Sequence, residues 1–428
     1  MKYEKLREMA KNFTIFLAYN ANIDAIVRVK RIKHLFTPED FKKAKNRNPT
    51  KIKTKIDLLA GILKEMQEEV GGELQMDENM SEWMKKHIVP DEKRIGGQIG
   101  IMSNFLCNLG FNCLVYFPLL SKEQSEFFER KSNLRFLTPE GWKKLGDYYF
   151  NTVTKTNWIF EFKRGESLFN IKAKETSRFI AASRPDEDRI KSPLLMEKIE
   201  EINQRANIAI LSGYHDVRKR YSDSDYKEQL KAGKEFLKKL TIPSQLEFAH
   251  VVDLDIRDCI VRYIAKNVDV LSMDSEEIIS ILDALGMYPD EKKDVIWNYK
   301  ALKIILDELN LKCVKMHTKH YFLSVSRNYL ERKNIENAYK ISRNFNYAKC
   351  ERGFVKSWDD LKLASRVRPS TKGLKEKKKL EKYLKNSEDV DVVIVPNKIH
   401  PAPKFTVGLG DVLSVGSFSI ENLLSVRR

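Results

Sequence analysis

The chain has 428 residues, with 77 Lys and Arg against 60 Asp and Glu, which gives a formal net charge of +17 at pH 7. No apolar run approaches the roughly 18 residues that a membrane span requires, and the five cysteines include no C-x-x-C pair. These features argue against a membrane protein, a disulfide framework and a zinc site, and they favour a reducing cytoplasm. The positive charge would attract nucleic acid, acidic membranes or phosphorylated small molecules.

Strand-like and helical segments alternate along the chain, which is typical of a layered α/β sheet. In chain order, the main strand-like runs are FTIFLAYN (13–20), CLVYFPLL (113–120), NIAILSGY (207–214), LEFAHVVD (246–253), VDVLSM (268–273), LKCVKMHTKHYFLSVS (311–326) and DVVIVP (391–396). Helical patterns such as GIMSNFLCNLG (100–110) and YKALKIILDELNL (299–311) lie between them.

Two polar stretches interrupt this alternation and contain aromatic strands such as TNWIFEFKRG (156–165). They predict a smaller β-rich domain inserted into the large one, in the position of a lid over a binding site. The predicted domain bounds are 1–24, 96–134 and 186–428 for the large α/β domain, and 25–95 and 135–185 for the lid.

The most basic segment is KGLKEKKKLEKYLKN (372–386). Leu380, Tyr383 and Leu384 are spaced for one helical face, with the lysines on the other. This pattern predicts a solvated surface helix, so nucleic acid is not the expected partner.

Asn22 and Asp24 follow the first strand in AYNANIDAIV. At the carboxyl edge of a parallel sheet such side chains can hold vicinal hydroxyls, because both accept from O–H groups and Asn also donates. A polar strand end with an Asx-type turn is the alternative.

A glycine-rich junction follows in RIGGQIGIMSNFL, from Arg94. Gly96 and Gly97 allow close backbone approach, Gln98 offers an amide, and a helix is expected to begin near Ile101 with its N-terminus towards any ligand. An ordinary strand-to-helix turn would have the same composition.

Three carboxylates lie near the ends of two later strands: Glu247, Asp274 and Glu277. Oxygen ligands of this kind could hold the Mg²⁺ that a nucleotide phosphate chain requires. Acidic residues at strand ends and helix starts are also common helix caps, so both interpretations stay open.

Near the C-terminus, TVGLGDVLSVGSF (406–418) indicates a glycine turn followed by a helix. Gly408 and Gly410 would expose backbone N–H groups at the positive end of the helix, which is a natural phosphate site. Asp411 beside such a site could take a proton from an attacking hydroxyl, or it could simply cap the helix. No P-loop and no Rossmann G-x-G-x-x-G motif is present.

Six motifs in order resemble one known family: YNANIDAI, RIGGQIGIMSN, ILSGYHD, LEFA, KMHTKHY and TVGLGD. Over nearly the whole chain they are similar to the ADP-dependent phosphofructokinase and glucokinase family, with the ribokinase-like α/β/α fold and a smaller β-rich lid domain. The resemblance implies transfer of the terminal phosphoryl of ADP to fructose 6-phosphate, glucose or both, with release of AMP and with Mg²⁺.

The resemblance also implies roles for individual residues. Asp411 is similar to the catalytic base, and the backbone N–H groups of Gly408, Leu409 and Gly410 would stabilise the transferring phosphoryl. Asn22, Asp24, Gly97 and Gln98 would hold the sugar. Glu73 lies where glucose-using members place a specificity glutamate.

Three motifs depart from the family pattern. The usual H-x-E is Gln245-Leu246-Glu247, and the usual N-x-x-E is Asp274-Ser275-Glu276-Glu277, so each keeps its glutamate and changes its first residue. After Asp411, TISSGAF has become VLSVGSF. Metal preference, nucleotide choice or activity could therefore differ from the family norm.

The acceptor and the reaction class are left with alternatives. Lid cations could neutralise the phosphate of fructose 6-phosphate (Lys163, Arg164, Arg178 and Arg184), whereas Glu73 favours an unphosphorylated sugar. An ATP-using ribokinase-like carbohydrate or nucleoside kinase, and a non-catalytic binding or regulatory paralogue, are the rival hypotheses.

Overall fold

The computed structural model of the protein describes residues 3–68, 72–129, 131–144, 146–149, 153–185, 189–190, 193–219, 223–289, 294–384, 389–405 and 407–426. The strands are β1 (Thr14–Tyr19), β2 (Asn22–Arg28), β3 (Gly72–Gln75), β4 (Glu92–Gly96), β5 (Asn112–Tyr116), β6 (Leu134–Thr138), β7 (Gly141–Lys144), β8 (Thr156–Phe162), β9 (Ser167–Leu168), β10 (Ile171–Lys172), β11 (Ser177–Ala182), β12 (Ile208–Ser212), β13 (Ser244–Glu247), β14 (Val270–Asp274), β15 (Cys313–His317), β16 (Tyr321–Ser326) and β17 (Asp391–Pro396). The α-helices are α1 (Tyr3–Ala10), α2 (Pro38–Lys45), α3 (Lys55–Gln67), α4 (Glu78–His87), α5 (Gln98–Asn108), α6 (Lys122–Glu126), α7 (Pro193–Glu197), α8 (Ile199–Arg205), α9 (Asp223–Lys239), α10 (Leu254–Cys259), α11 (Glu277–Leu285), α12 (Val295–Glu308), α13 (Arg332–Arg352), α14 (Thr371–Tyr383) and α15 (Leu409–Ser425).

A ten-stranded sheet forms the centre of the large part of the molecule, in the order β17-β16-β15-β14-β13-β12-β1-β5-β6-β7. The seven strands from β15 to β6 are parallel, and β16, β17 and β7 add antiparallel pairs at the two edges. The carboxyl ends of β12 to β15 therefore lie side by side along one edge of the sheet, where ligands bind in open α/β folds.

Helices cover both faces of this sheet. In β1, Phe16 and Ala18 pack into one core, whereas Ile15 and Leu17 pack into the other. Helices α9, α11 and α12 contribute to the first core, and α5, α13 and α15 contribute to the second. A strand that is apolar on both faces is typical of a parallel sheet between two helix layers.

A second, five-stranded sheet has the order β3-β11-β8-β2-β4. One face is apolar, with residues such as Val27, Phe160 and Phe179 packed against α3 and α4. Strand register places Asp24, Arg94, Asn157, Glu161 and Arg178 on the opposite face. The small sheet thus has one buried side and one polar side.

The strand pairing shifts two of the predicted domain bounds. β2 joins the small sheet from Asn22, slightly before the predicted start of the lid at residue 25. Strands β6 and β7 pair with the large sheet because Leu134 and Phe136 pack into its core, so residues 135–144 do not join the small sheet. The bound after residue 185 adjoins residues 186–188, which lie outside the described part, and the division into a large domain and a lid stays a prediction.

No helix among the described residues is long and apolar enough to cross a membrane. The basic helix α14 buries Leu380, while Tyr383 is exposed and makes an edge contact with Tyr299.

Candidate functional site

Helix α15 begins at the carboxyl edge of the large sheet with Gly408 as its N-cap residue. Gly408 has φ +70°, a conformation that favours glycine, and a Cβ atom at this position would lie 2.8 Å from Ile101 Cδ1, at the end of a flexible side chain. Among the residues that the structure describes, no side chain forms a capping hydrogen bond at this helix start. Its first backbone N–H groups are therefore left without a side-chain acceptor, as an anion site requires.

Asp411 is the third residue of α15 and not its N-cap, so the structure does not support the cap alternative. The carboxylate is half-buried and accepts no hydrogen bond from the described residues, with Oδ2 3.1 Å from an ideal Cβ position at Gly408. Burial raises the pKa of Asp411 to about 6, Asp24 adds to this rise and Lys349 opposes it. A carboxylate with this pKa is ionised at neutral pH and can accept a proton.

His317, at the end of β15, lies against the same helix start. A Cβ atom at Gly410 would lie 2.6 Å from His317 Nε2, so any side chain at position 410 would collide with the imidazole. Burial lowers the pKa of His317, against the opposing effect of Asp274, which favours a neutral imidazole at neutral pH.

The start of β2 and the junction between β4 and α5 form a second part of the site. Asn22 Nδ2 donates to Asp24 Oδ1 at 2.8 Å in a buried position. A Cβ atom at Gly96 would lie 2.0 Å from that same oxygen, and Gly97 has φ +73° as the N-cap of α5. The expectation that this helix begins near Ile101 is wrong, because the turn is tight enough for α5 to begin at Gln98.

Gln98 links this junction to the strand ends of the large sheet. Its Nε2 group donates to the carbonyl oxygen of Phe248 at 3.4 Å, and its Oε1 atom accepts from the Ser212 hydroxyl. Ser212 Oγ also lies 3.0 Å from the carbonyl oxygen of Glu247. The Gln98 amide is therefore oriented by groups from β12 and from the segment after β13.

Glu247 is buried at the end of β13, where its carboxylate accepts from the Ser414 hydroxyl of α15. Gln245 Nε2 donates to Ser414 Oγ at 2.9 Å, and Ser272 Oγ lies 2.9 Å from the same atom. Burial raises the pKa of Glu247 to about 8, and the Asp411 and Asp274 charges contribute. Sequence reasoning missed Ser414, although it is the serine retained where TISSGAF becomes VLSVGSF.

Asp274 and Glu277 accept hydrogen bonds from each other's backbone N–H groups at the start of α11. The Asp274 carboxylate accepts from the backbone N–H groups of Glu276 (2.8 Å) and Glu277 (2.9 Å), and the Glu277 carboxylate accepts from Asp274 N–H at 2.8 Å. Both residues thus act as caps, as the alternative interpretation held. Burial and the nearby charges of Asp274 and Glu247 raise the pKa of Glu277 well above its usual range.

The predicted metal ligands share an electrostatic environment without forming a ready-made cage. Within the described ranges, no group of three or more His, Cys, Asp or Glu side chains is arranged to hold a metal ion. The Asp274 charge nevertheless helps to raise the pKa values of Glu247 and Glu277, and the Glu247 charge adds to the rise at Glu277.

Glu73 lies on β3, which is separated from β2 by β11 and β8, so that β3 and β2 are about 14 Å apart across the small sheet. Its carboxylate pairs with Arg184 Nη2 at 2.7 Å, and Arg184 Nε lies 2.8 Å from Asp216 Oδ1. Lys155 Nζ pairs with the other oxygen of Asp216 at 2.7 Å. Although burial alone would raise the pKa of Asp216, Arg184 and Lys155 hold it well below its usual range.

Asp216 follows β12 of the large sheet, whereas Lys155, Arg184 and Glu73 belong to or flank strands of the small sheet. We call these four residues the junction cluster. Sequence reasoning placed Arg184 among the lid cations but did not identify Lys155 or Asp216, because nothing in their spacing indicates a contact across 61 residues.

Comparison with known proteins bears on this arrangement. A family model described as the ADP-specific phosphofructokinase/glucokinase conserved region matches residues 13–420. The ADP-specific phosphofructokinase of Thermococcus litoralis is 32% identical over 454 residues, covering 97% of this chain and 98% of the relative. The ADP-dependent glucose/glucosamine kinase of Pyrococcus abyssi (strain GE5 / Orsay) is 28% identical over 450 residues, covering 99% and 98%.

The fold has a similarly close counterpart. A solved ADP-dependent kinase in complex with fructose-6-phosphate and ADPβS superimposes with a TM-score of 0.86 at 29% identity, covering all of this chain and 97% of that chain. The predicted α/β fold and the family resemblance are both confirmed. The chain belongs to the ADP-specific phosphofructokinase/glucokinase family.

Proposed function

We propose that this protein is an ADP-dependent sugar kinase that transfers the terminal phosphoryl group of ADP to a hydroxyl of fructose 6-phosphate, glucose or both and releases AMP. The family match over residues 13–420 and the names of the relatives support this reaction class. The observation that carries the proposal is the start of α15, where open backbone N–H groups and the unpaired Asp411 carboxylate lie within one helical turn.

Asp411 acts as the general base. Its carboxylate is free of hydrogen bonds among the described residues, and its pKa of about 6 keeps it ionised at neutral pH. It removes the proton from the acceptor hydroxyl as the oxygen attacks phosphorus.

The backbone of Gly408, Leu409 and Gly410 stabilises the phosphoryl group in transfer. These residues form the first turn of α15, where N–H groups and the helix dipole together favour negative charge. Donors that are already oriented before the reaction need no reorganisation in the transition state.

Asn22, Asp24, Gly97 and Gln98 hold the sugar. The Asn22–Asp24 hydrogen bond and the two contacts of Gln98 orient these polar groups in advance. At Gly97 the positive φ and the nearby Ala21 Cα leave no room for a side chain. Because glycine has no Cβ atom, the backbone here can approach the ligand closely. The sugar is thus held between the small sheet and the base.

Mg²⁺ is the expected metal, near Glu247, Asp274 and Glu277. Burial and nearby acidic groups raise the pKa values of Glu247 and Glu277, so a divalent cation beside them would favour their ionised forms. The absence of a three-ligand cage in the described ranges fits a metal held largely by phosphates and water, with one or two carboxylates. When bound, Mg²⁺ would neutralise charge on the phosphates of ADP.

The junction cluster bears on the choice of acceptor. A free Glu73 carboxylate would repel a sugar phosphate, but Arg184 pairs with it at 2.7 Å. Among the described residues the cluster contains two cations, Lys155 and Arg184, and two carboxylates, Glu73 and Asp216. This charge balance supports a site that tolerates both phosphorylated and unphosphorylated sugars.

A cytoplasmic location fits the five cysteines, none of which forms a disulfide. It stays a prediction, as does closure of the small sheet over the bound substrates.

The test is AMP release from ADP and Mg²⁺ with glucose, fructose 6-phosphate and other sugars, beside the same panel with ATP. We expect AMP to form in proportion to sugar phosphate with ADP as donor. Turnover with ATP alone would overturn the donor assignment, and bound nucleotide without turnover from either donor would overturn catalysis.

A further inference from the structure

Three lysines are buried in the described part of the chain, and one of them differs from the other two. Lys155 (2% exposed) pairs with Asp216, and Lys315 (3% exposed) pairs with Glu421. Lys349 (7% exposed), in the last turn of α13, forms no hydrogen bond or ion pair through its ammonium group with any described residue. A buried cation without a partner is costly, so its retention calls for a role.

Lys349 lines a cavity of about 330 Å³ beside the start of α15. Val407 and Val412, which flank the phosphate turn and Asp411, line the same cavity, as does Arg94 of β4. Lys349 therefore borders a space next to the proposed base.

The charges around this lysine come from three elements. Burial lowers the pKa of Lys349 to about 8, Asp411 and Asp24 oppose this fall, and Arg94 adds to it. Arg352, one turn further along α13, also lines the cavity but pairs with Asp360 at 2.5 Å. Lys349 is thus left as the cation that acts on Asp411.

The charges around Asp411 also indicate that Lys349 is the cation that acts on it. Lys349 is the cation that favours its ionised form, and Asp24 opposes ionisation. Glu247 and Glu277 also interact with the Asp411 charge, and His317 beside Gly410 is held neutral by burial. Without Lys349, Asp411 would face carboxylates and a neutral imidazole.

We propose that Lys349 is a positioning residue for the base: its ammonium group supplies the buried positive charge that keeps Asp411 ionised before the acceptor hydroxyl arrives. The inference rests on the proposed function, in which Asp411 is the base. The lysine acts through Asp411 and is assigned no contact with substrate.

The test compares Lys349→Met with Lys349→Arg, in steady-state kinetics and in a direct titration of the Asp411 carboxyl by ¹³C NMR. The NMR signal is assigned by its absence in Asp411→Asn. We expect Lys349→Met to raise the Asp411 midpoint by about one pH unit or more and to lower kcat/KM about fivefold or more at pH 6, with recovery at higher pH. Lys349→Arg keeps the charge and should stay close to the wild-type midpoint.

Lys340→Met is the matched control, because Lys340 lies on the same helix but is half-exposed and pairs with Glu336 at 2.7 Å. Thermal unfolding and ADP binding of each variant show whether it is folded, and Lys349→Gln serves if the Met variant is not. An Asp411 titration that does not move in Lys349→Met, or a loss of activity that is equal at every pH, would overturn the proposal. If the Asp411 titration shifts in Lys349→Met but the acidic side of the pH profile of kcat/KM does not, Asp411 is not the base.

Discussion

Two groups of charges in this protein differ in whether their carboxylates are paired with cations of the same chain. In the junction cluster, Asp216 has Arg184 and Lys155 within 2.8 Å, and its pKa is well below the usual range. At the edge of the large sheet, Glu247, Glu277 and Asp411 form no ion pair with any described residue, and their pKa values are raised.

This difference in pairing shows which carboxylates are balanced by cations of the same chain and which are not. A carboxylate that is satisfied by its own chain ties two parts of the fold together, and removing one partner leaves an uncompensated buried charge. A group of carboxylates with raised pKa values is unfavourable in isolation and marks a functional site. Substitution of Asp216 should therefore act mainly through stability, and substitutions at the sheet edge through activity.

The largest effect is expected from Asp411→Asn, which removes the base while keeping the size of the side chain. We expect kcat to fall by about 10²–10⁴-fold, because proton removal by a positioned base contributes that much. In the wild-type enzyme, kcat/KM should rise with pH through about 6, since the base must be ionised. Calorimetry with ADP and a thermal melt are the controls, and retained turnover would refute the assigned base.

Asp216→Asn tests the compensated group. We expect the free energy of unfolding to fall by about 3–5 kcal/mol, because Lys155 and Arg184 lose their shared carboxylate. Since the pKa of Asp216 is lowered, the carboxylate is ionised in both folded and unfolded chains above about pH 5, so the difference should be constant from there to pH 8.

Glu175→Gln is the control for Asp216→Asn, because the Arg164–Glu175 pair is exposed and 3.7 Å apart. It should change the free energy of unfolding by less than about 1 kcal/mol. Equal effects of the two substitutions in denaturant titrations would remove the distinction between the two groups of charges.

Glu277→Gln tests the metal assignment at the sheet edge. We expect about a tenfold higher Mg²⁺ concentration for half-maximal activity, with stability unchanged or slightly increased, because burial and the nearby charges of Asp274 and Glu247 already disfavour the ionised form of Glu277. The measurement is activity against Mg²⁺ at saturating ADP. An unchanged metal titration would exclude Glu277 from the site.

Glu73→Gln should have the smallest effect of these substitutions. It leaves Arg184 with Asp216 as its carboxylate partner and so tests whether the Glu73–Arg184 pair influences the choice of acceptor. We expect the ratio of kcat/KM for fructose 6-phosphate to that for glucose to rise about fivefold, or about 1 kcal/mol. Arg184→Gln should lower the same ratio. If both substitutions move the ratio in one direction, the Glu73–Arg184 pair does not set acceptor preference.

Local patterns were sufficient for much of the fold. The strand DVVIVP coincides with β17 (Asp391–Pro396), and the run FTIFLAYN contains β1 (Thr14–Tyr19), because apolar β-branched and aromatic residues bounded by polar ones leave few other conformations. The run from 311 to 326 was read as one strand, but it forms the antiparallel pair β15 and β16, since Thr318 turns the chain by accepting from the backbone N–H groups of His320 and Tyr321.

The amino-acid sequence was enough to identify the glycine turn before Asp411, the polar end of the first strand and the family, because each depends on residues close together in the chain. Tertiary structure decided which charges meet. Lys349 lies 62 residues from Asp411 in the sequence, and Lys155 lies 61 residues from Asp216. Whether a buried charge finds a partner depends on how helices and strands pack, and no local pattern specifies that packing.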